Sequence, residues 1–234
     1  MPLVFPVTRF FRLTVSFNQL APCLFTLFTA LVLFSPISNA NVFQQDFEFG
    51  DSADYISSLP ESFDCSALYQ TSEGAESEGK AFCFDQTNLF NTQGGMLTAF
   101  ISEGRVDAVE YMLEMSWANY NAVLAGLRRQ NYVFAQVTVG GETLDVLSGL
   151  KVLDQQTLDD QLFTLANHSD FLVLREFILL DHRSFKRALK TDIKSVENWL
   201  SGNNPKRGFE RLTLIRVTVK DNEILLKASQ PFSD

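Results

Sequence analysis

The stretch from Ser102 to Val146 has the pattern of one long helix followed directly by a β-hairpin. At about 100° per residue, the large apolar side chains between Ser102 and Gln130 share one broad stripe, and alanines form a second apolar face. A helix that is apolar on two sides is usually covered on two sides. We therefore predict a central helix, capped by Ser102, that packs its large residues on a sheet.

The sequence after this helix predicts a strand, a tight turn and a second strand. Asn131 suits the left-handed residue that often ends a helix, and the pattern alternates from Tyr132 to Val139. Gly140-Gly141 is a two-residue hairpin signal, and Glu142–Val146 resumes an extended pattern. One face of the first strand is predicted to carry Val133, Ala135, Val137 and Val139.

A second helix–hairpin unit follows later in the sequence. Apolar residues at helical intervals predict a helix over Ser184–Leu200 with one buried face. Two extended runs, Arg211–Val219 and Glu223–Ala228, flank a turn signal at residues 220–222. Together these patterns predict an α+β fold in a single domain, with a central helix buried on two faces against a mainly antiparallel sheet that has two helix–hairpin units.

Shorter segments complete the predicted fold. Lys80–Asp85 and Met96–Ile101 favour strands. Residues 157–160 resemble a capping box that opens a short helix ending at about Asn167. Phe171–Leu180 is nearly all apolar, so its length favours a buried strand and leaves a helix as the alternative.

The first 40 residues have the organisation of a secretory signal peptide. Arg9 and Arg12 are the only charged residues before residue 41, and an apolar run follows over Leu20–Phe34. Small residues then match an A-x-A-like site, so we predict cleavage after Ala40 and a periplasmic or extracellular location. The alternative is an uncleaved membrane anchor. Cleavage is favoured because the apolar run is shorter than the roughly 20 residues that a membrane-spanning helix needs. The cleaved protein would then have no stable membrane span.

Cleavage would leave two cysteines, Cys65 and Cys83, in an oxidising compartment, where they most simply form a disulfide. A bridge that closes a loop of that length stabilises the fold by about 3 kcal/mol in the chain-entropy model. Two cysteines and two histidines disfavour a cysteine/histidine zinc site. No metal and no cofactor is predicted.

Charge is distributed unevenly along the chain. The whole sequence has 28 acidic and 19 basic residues, for a net charge of −9. Residues 41–80 hold nine acids and one base, and we predict an acidic, weakly ordered N-terminal arm there. The globular α+β domain is predicted over residues 81–234. Within it, residues 183–220 hold ten bases and three acids.

Basic residues on the helix predicted over Ser184–Leu200, and one immediately before it, form the candidate binding patch. They are Arg183, Lys186, Arg187, Lys190 and Lys194. A local basic patch on an acidic protein predicts contact with something anionic: an acidic protein, an anionic envelope surface, or the protein's own acidic arm. Nucleic acid is disfavoured because the chain is acidic, predicted to be exported, and lacks a recognisable nucleic-acid motif.

The sequence contains few candidates for catalysis. His168 and His182 each lie near an acid and a serine, but triads are made by geometry in space, and neither stretch has a G-x-S-x-G elbow. Glu110 and Glu114 would lie one turn apart on the polar strip of the first helix, where solvation is the favoured interpretation. No catalytic residue is predicted.

The junction from Arg128 to Val137, a helix leading into an aromatic-V-x-A-x-V strand, resembles the POTRA modules of outer-membrane assembly proteins. The resemblance is confined to this junction, and no family is assigned from it. The sequence favours an exported, non-enzymatic binding protein that uses its basic helix. The alternatives are an exported hydrolase using His182 or His168 with a carboxylate, and an envelope protein held by an uncleaved N-terminal anchor.

Overall fold

The computed structural model describes residues 43, 45–69, 79–92, 94–167, 173–201, 209 and 212–231. Within them the predicted α+β class is confirmed. A single nine-stranded sheet, antiparallel at every pairing, carries short helices on its faces.

The strands, numbered along the chain, are β1 (Ser62–Asp64), β2 (Lys80–Thr87), β3 (Gly95–Ser102), β4 (Arg105–Glu114), β5 (Tyr132–Val139), β6 (Glu142–Asp145), β7 (Arg175–Asp181), β8 (Leu214–Lys220) and β9 (Glu223–Ser229). The helices are α1 (Ala53–Ser58), α2 (Ser66–Tyr69), α3 (Trp117–Arg129), α4 (Val146–Gly149), α5 (Gln155–Ala166), α6 (His182–Leu189) and α7 (Val196–Leu200). Across the sheet the strand order is β1-β2-β3-β4-β9-β8-β7-β5-β6.

The two faces of the sheet bury different apolar cores. The larger core joins strand residues Tyr111, Val217 and Leu226 to Ile56 of α1 and Leu127 of α3. The smaller core joins strand residues Leu180 and Leu214 to Leu147 of α4, Phe185 of α6 and Trp199 of α7. Phe177 and Ile178 are neighbours in β7 but belong to different cores, because successive side chains of a strand point to opposite faces.

The helix predicted over Ser102–Gln130 is wrong in its first half, and its second half is buried on one face only, because Ala118 and Ala125 of the predicted alanine face are exposed. Residues 105–114 form β4, and α3 begins only at Trp117, with Ser116 as its N-cap. β4 lies between β3 and β9 and is buried on both faces, so its apolar pattern resembles that of a helix covered on two sides. Ser102 ends β3, and residues 103–104, with φ of 51° and 77°, form the turn into β4.

Both predicted hairpins are present. β5 and β6 meet at Gly140-Gly141, and β8 and β9 meet at Asp221-Asn222; all four turn residues have positive φ. Asn131, at φ 63°, takes the left-handed conformation expected at the end of the first helix. Each hairpin therefore follows a helical segment, as the two predicted helix–hairpin units require.

The predicted single face of β5 is wrong because the strand contains a bulge. The pairing with β7 shifts register between Phe134 and Gln136. As a result Ala135 packs in the smaller core, whereas Val137 packs in the larger core on the other face. The strand favoured for Phe171–Leu180 is confirmed from Arg175 onward, and residues 171–172 lie outside the described residues.

The helix predicted over Ser184–Leu200 is divided into α6 and α7, because each helix has its own cap. Asp181 caps α6 by accepting two backbone N–H bonds. Ser195 caps α7, and a carboxylate oxygen of Asp145 accepts the first N–H of that helix at 2.6 Å. The linker between the helices is held by Lys151, whose Nζ donates to two of its carbonyl oxygens.

The shorter predicted segments are confirmed, with one change of boundary. Lys80–Asp85 lies in β2, and Met96–Ile101 lies in β3. The helix expected to open at residues 157–160 is α5, and it begins earlier because Asp154 is its N-cap. The Thr157 N–H donates to the Asp154 carboxylate at 3.0 Å.

The described part of the acidic arm, residues 45–69, is folded onto the sheet. It forms α1, β1 and α2, and Ile56 is 0% exposed in the larger core. The acidic loop at residues 70–78 of the predicted arm lies outside the described residues. The predicted Cys65–Cys83 disulfide is confirmed and links the start of α2 to β2, with Cα atoms 5.8 Å apart. The predicted signal peptide lies outside the described residues. No helix in the described part of the chain is long and apolar enough to cross a membrane.

Candidate functional site

The exposed side of α6 is basic. Its cationic residues, all exposed, are Arg183, Lys186, Arg187 and Lys190, the last being the residue that ends the helix. At about 100° per residue, they fall within one arc of roughly 100° around the helix axis. Phe185 and Ala188, 6% and 0% exposed, lie on the opposite side and hold the helix in the smaller core. The structure therefore brings the predicted patch residues of this helix together on one side.

Two further lysines extend this basic side beyond the helix. Lys194, the fifth predicted patch residue, is exposed in the linker between α6 and α7. Lys151 comes from the segment after α4 and reaches the same linker, where its Nζ donates to the carbonyl oxygens of Thr191 and Ile193. Lys151 was missed in the sequence because it comes 40 residues before Thr191 and has no local pattern. We call the exposed side of α6 together with Lys194 and Lys151 the α6 basic surface.

Most of the cations of this surface have no ion-pair partner among the described residues. Within the part of the chain that the structure describes, Arg183, Lys186, Lys190 and Lys194 form no ion pair. The guanidinium of Arg187 lies 5.4 Å from the centroid of the Phe209 ring, a cation–π contact that keeps it at the surface. Positive charges held together in this way raise the local potential and attract anionic groups.

His182 is exposed at the first position of α6, and it lines neither of the two clefts described below. Its backbone N–H donates to the Asn131 carbonyl oxygen at 2.9 Å. The neighbouring Asp181 is positioned as a helix cap and not as a partner of the imidazole. His168 lies outside the described residues. Among those described, no group of three or more His, Cys, Asp or Glu is arranged to hold a metal.

Glu110, predicted to be solvated on a helix, is instead 9% exposed on β4. The register places it directly opposite Thr98 of β3 and Lys227 of β9. Burial raises the pKa of the Glu110 carboxyl, and the Lys227 charge and a hydrogen bond with the Tyr69 hydroxyl partly offset that rise. Glu114 is exposed at the far end of β4, so the two carboxylates are not a pair.

A row of charges crosses the sheet from Glu110. Lys227 lies directly opposite both Glu110 and Arg216 of β8, and Arg216 donates to the Glu176 carboxylate at 2.6 Å. The two cations in the middle of the row border a cleft of about 390 Å³, together with Ser229 and apolar side chains. Glu110 therefore lies beside Lys227, and Glu176 beside Arg216. These two acids offset the repulsion between Lys227 and Arg216, which lie directly opposite each other.

A larger cleft, of about 500 Å³, lies between the end of α3 and the connection from β2 to β3. Four of its lining side chains are carboxamides: Gln45, Asn88, Asn91 and Gln130. Arg129 is the cationic side chain of this lining, and none of the described lining residues is acidic. We call this cleft the carboxamide pocket. Its residues come from three separate stretches of chain, so the sequence has no local signal for it.

Comparison with known proteins adds no relative to this description. No protein-family model matches the chain, and no curated protein or solved structure is significantly similar to it. The functional argument therefore depends on the geometry and chemistry of the surfaces described above.

Proposed function

We propose that the chain is an exported, non-enzymatic binding protein that contacts an anionic partner through the α6 basic surface. The observation that carries this proposal is the arc of exposed cations on α6, opposite its buried side, on a protein whose net charge is −9. The disulfide between Cys65 and Cys83 fits an oxidising, exported compartment.

An acidic protein surface fits the α6 basic surface better than a lipid bilayer does. A helix that lies in a bilayer interface inserts an apolar face into it. In α6 the apolar residues Phe185 and Ala188 are buried in the protein's own core, so only basic heads are available. We therefore favour an acidic protein as the partner and keep anionic envelope lipid as the alternative.

The test compares two charge-reversal variants of equal charge. Lys186→Glu/Lys190→Glu changes the α6 basic surface, and Lys80→Glu/Lys220→Glu makes the same change at exposed positions on β2 and β8. Each immobilised protein is incubated with envelope extract, and with vesicles of anionic or zwitterionic lipid, at low and high salt. Salt is varied because exposed charges are screened within about 10 Å at 0.1 M ionic strength.

The α6 variant should lose a salt-sensitive bound protein that the wild type and the β-strand variant both retain. Equal binding by all three proteins, or equal loss in both variants, would contradict a role for α6. Binding to anionic vesicles with no retained protein would instead support the lipid alternative.

The predicted export has its own test, N-terminal sequencing of the protein recovered outside the cytoplasm. We expect the mature chain to begin at Asn41, after cleavage at Ala40. Recovery of the intact segment from Met1 in a membrane fraction would establish the anchored alternative and overturn the predicted cleavage.

A further inference from the structure

The carboxamide pocket has a wall whose backbone is fixed to the core. The Thr92 hydroxyl lies 2.6 Å from the Leu89 carbonyl oxygen and 2.7 Å from the Tyr111 hydroxyl. The Tyr111 hydroxyl in turn lies 3.0 Å from the Thr87 carbonyl oxygen, and Tyr111 is 0% exposed in the larger core. The backbone of the loop after β2 is thus tied to β4 and is held in place before any ligand arrives.

The same loop holds two consecutive residues in the left-handed region, and the first of them, Phe90, is strained there. Phe90 and Asn91 have φ of 54° and 65°, a region that is unfavourable for a bulky side chain such as phenylalanine. The Phe90 ring lies against α3 at Gly126, where a Cβ atom would overlap it. Strain of this kind persists only where the surroundings impose it, and it is concentrated at ligand sites.

The polar groups of the pocket suit a neutral ligand that is rich in hydroxyls. A carboxamide has an acceptor oxygen and two N–H donors, and a hydroxyl can both accept and donate. A carboxylate or phosphate only accepts and would leave the carboxamide oxygens facing another acceptor. The side chains of Asn88, Asn91 and Arg129 are exposed and make no hydrogen bond within the described residues, so they are available to a ligand.

We propose that the carboxamide pocket binds a neutral saccharide of one or two sugar units. Asn88 and Asn91 hydrogen-bond its hydroxyls, and Arg129 donates further bonds. Phe90, which is half-buried and packs edge to face against the buried Phe43 with centroids 6.4 Å apart, contacts an apolar side of the sugar ring. The volume of about 500 Å³ lies within the range of about 300–1,000 Å³ that is usual for small-molecule sites. This site is separate from the α6 basic surface.

The test uses a substitution that removes a carboxamide without changing the backbone preference. Asn91→Gly deletes the side chain at a position with φ of 65°, which glycine adopts readily. The matched control is Asn222→Gly, which makes the same change at φ 67° in the β8–β9 turn. A second variant, Asn88→Ala, removes a carboxamide from the same loop. The neutral probes are glucose, galactose, mannose, N-acetylglucosamine and the β-1,4 disaccharides of glucose and of N-acetylglucosamine, and the charged probes are glucose 6-phosphate and glucuronate. Each probe is titrated into ¹⁵N-labelled protein.

At least one probe should shift the side-chain amide signals of Asn88 and Asn91, with saturable binding. Asn91→Gly and Asn88→Ala should each weaken that binding about three- to tenfold, as expected for one lost hydrogen bond. Asn222→Gly and Lys186→Glu/Lys190→Glu should leave it unchanged. The proposal is overturned if no probe binds at tens of millimolar, or if the control weakens binding as much as Asn91→Gly. It is also overturned if only sugar phosphates or uronates bind, since that would make Arg129 the site of an anion.

Discussion

Replacing Gly126 with alanine should destabilise the protein, although alanine is the better helix former. In the interior of a helix, alanine is favoured over glycine by about 1 kcal/mol. In α3, however, a Cβ atom at this position would overlap Cδ1 of Phe90 and lie 2.8 Å from its Cγ and 2.9 Å from its Cβ. Non-bonded carbon atoms do not approach so closely, so either the phenylalanine or the helix must move.

The steric cost should exceed the gain in helix propensity. The phenylalanine cannot withdraw freely, because its own φ is 54° and its loop is tied to Tyr111 through Thr92. Forcing extra atoms into a packed contact typically costs about 1–3 kcal/mol. With three atoms inside normal contact distance, we place the cost in the upper part of that range. The net loss in the free energy of unfolding is then about 1–2 kcal/mol.

Urea unfolding of the disulfide-intact protein measures this change, and a second background makes the test sharper. Phe90→Gly removes the ring and suits the positive φ at that position. In the Phe90→Gly background, Gly126→Ala should therefore become stabilising, by about 0.5–1 kcal/mol. The steric reasoning is refuted if Gly126→Ala stabilises the wild-type protein, or if its effect has the same sign in both backgrounds.

Three further predictions concern pH, the disulfide and a helix cap. Because burial raises the pKa of Glu110, the folded state keeps a proton that the unfolded chain releases, so stability should fall as the pH rises above the ordinary value of 4.5. Urea midpoints across this range should lose that dependence in Glu110→Gln. Lys227→Met should extend this pH dependence to higher pH, because it removes the charge that lowers the pKa of Glu110. If stability varied with pH equally in the wild type and both variants, Glu110 would not be the buried group responsible. Cys65→Ala/Cys83→Ala should cost about 3 kcal/mol of unfolding free energy, and a loss below about 1 kcal/mol would contradict the loop-closure estimate. Asp181→Ala should cost about 1 kcal/mol of unfolding free energy by removing the cap of α6. Asp181→Asn should keep most of the stability of the wild type, because asparagine also caps helices, and thermal melts would measure both changes.

The parts of the fold that the sequence predicts well are those with local chemical causes. Gly140-Gly141 and Asp221-Asn222 tolerate the positive φ that a tight hairpin needs, so each turn is specified by its own residues. The disulfide follows from the two cysteines that remain after the predicted cleavage, in a chain predicted to be exported. The basic surface of α6 follows from the spacing of its lysines and arginines, which the structure places on the exposed side.

The parts that the sequence does not predict depend on distant neighbours. β4 is apolar on both faces because β3 and β9 enclose it and both sheet faces are covered there, whereas the same residues in isolation also fit an amphipathic helix. The bulge at Ala135 is specified by the pairing with β7 and not by the composition of β5. The contact of Lys151 with the α6–α7 linker and the lining of the carboxamide pocket both join segments that are far apart in the chain. The residue pattern within one segment therefore cannot predict them.

The position of β9 has a consequence for how the chain would reach its folded state if it is exported as proposed. β9 is the last strand of the sequence, yet it is fifth of the nine strands across the sheet and separates β4 from β8. Until it arrives, the sheet exists as two halves, each with an inner edge of unpaired backbone N–H and C=O groups that favours association with other chains. Pairings as distant in sequence as Val109 with Ala228 also form slowly. A chain translocated from its N-terminus would therefore stay open, and exposed to aggregation or to a chaperone, until its final strand has crossed.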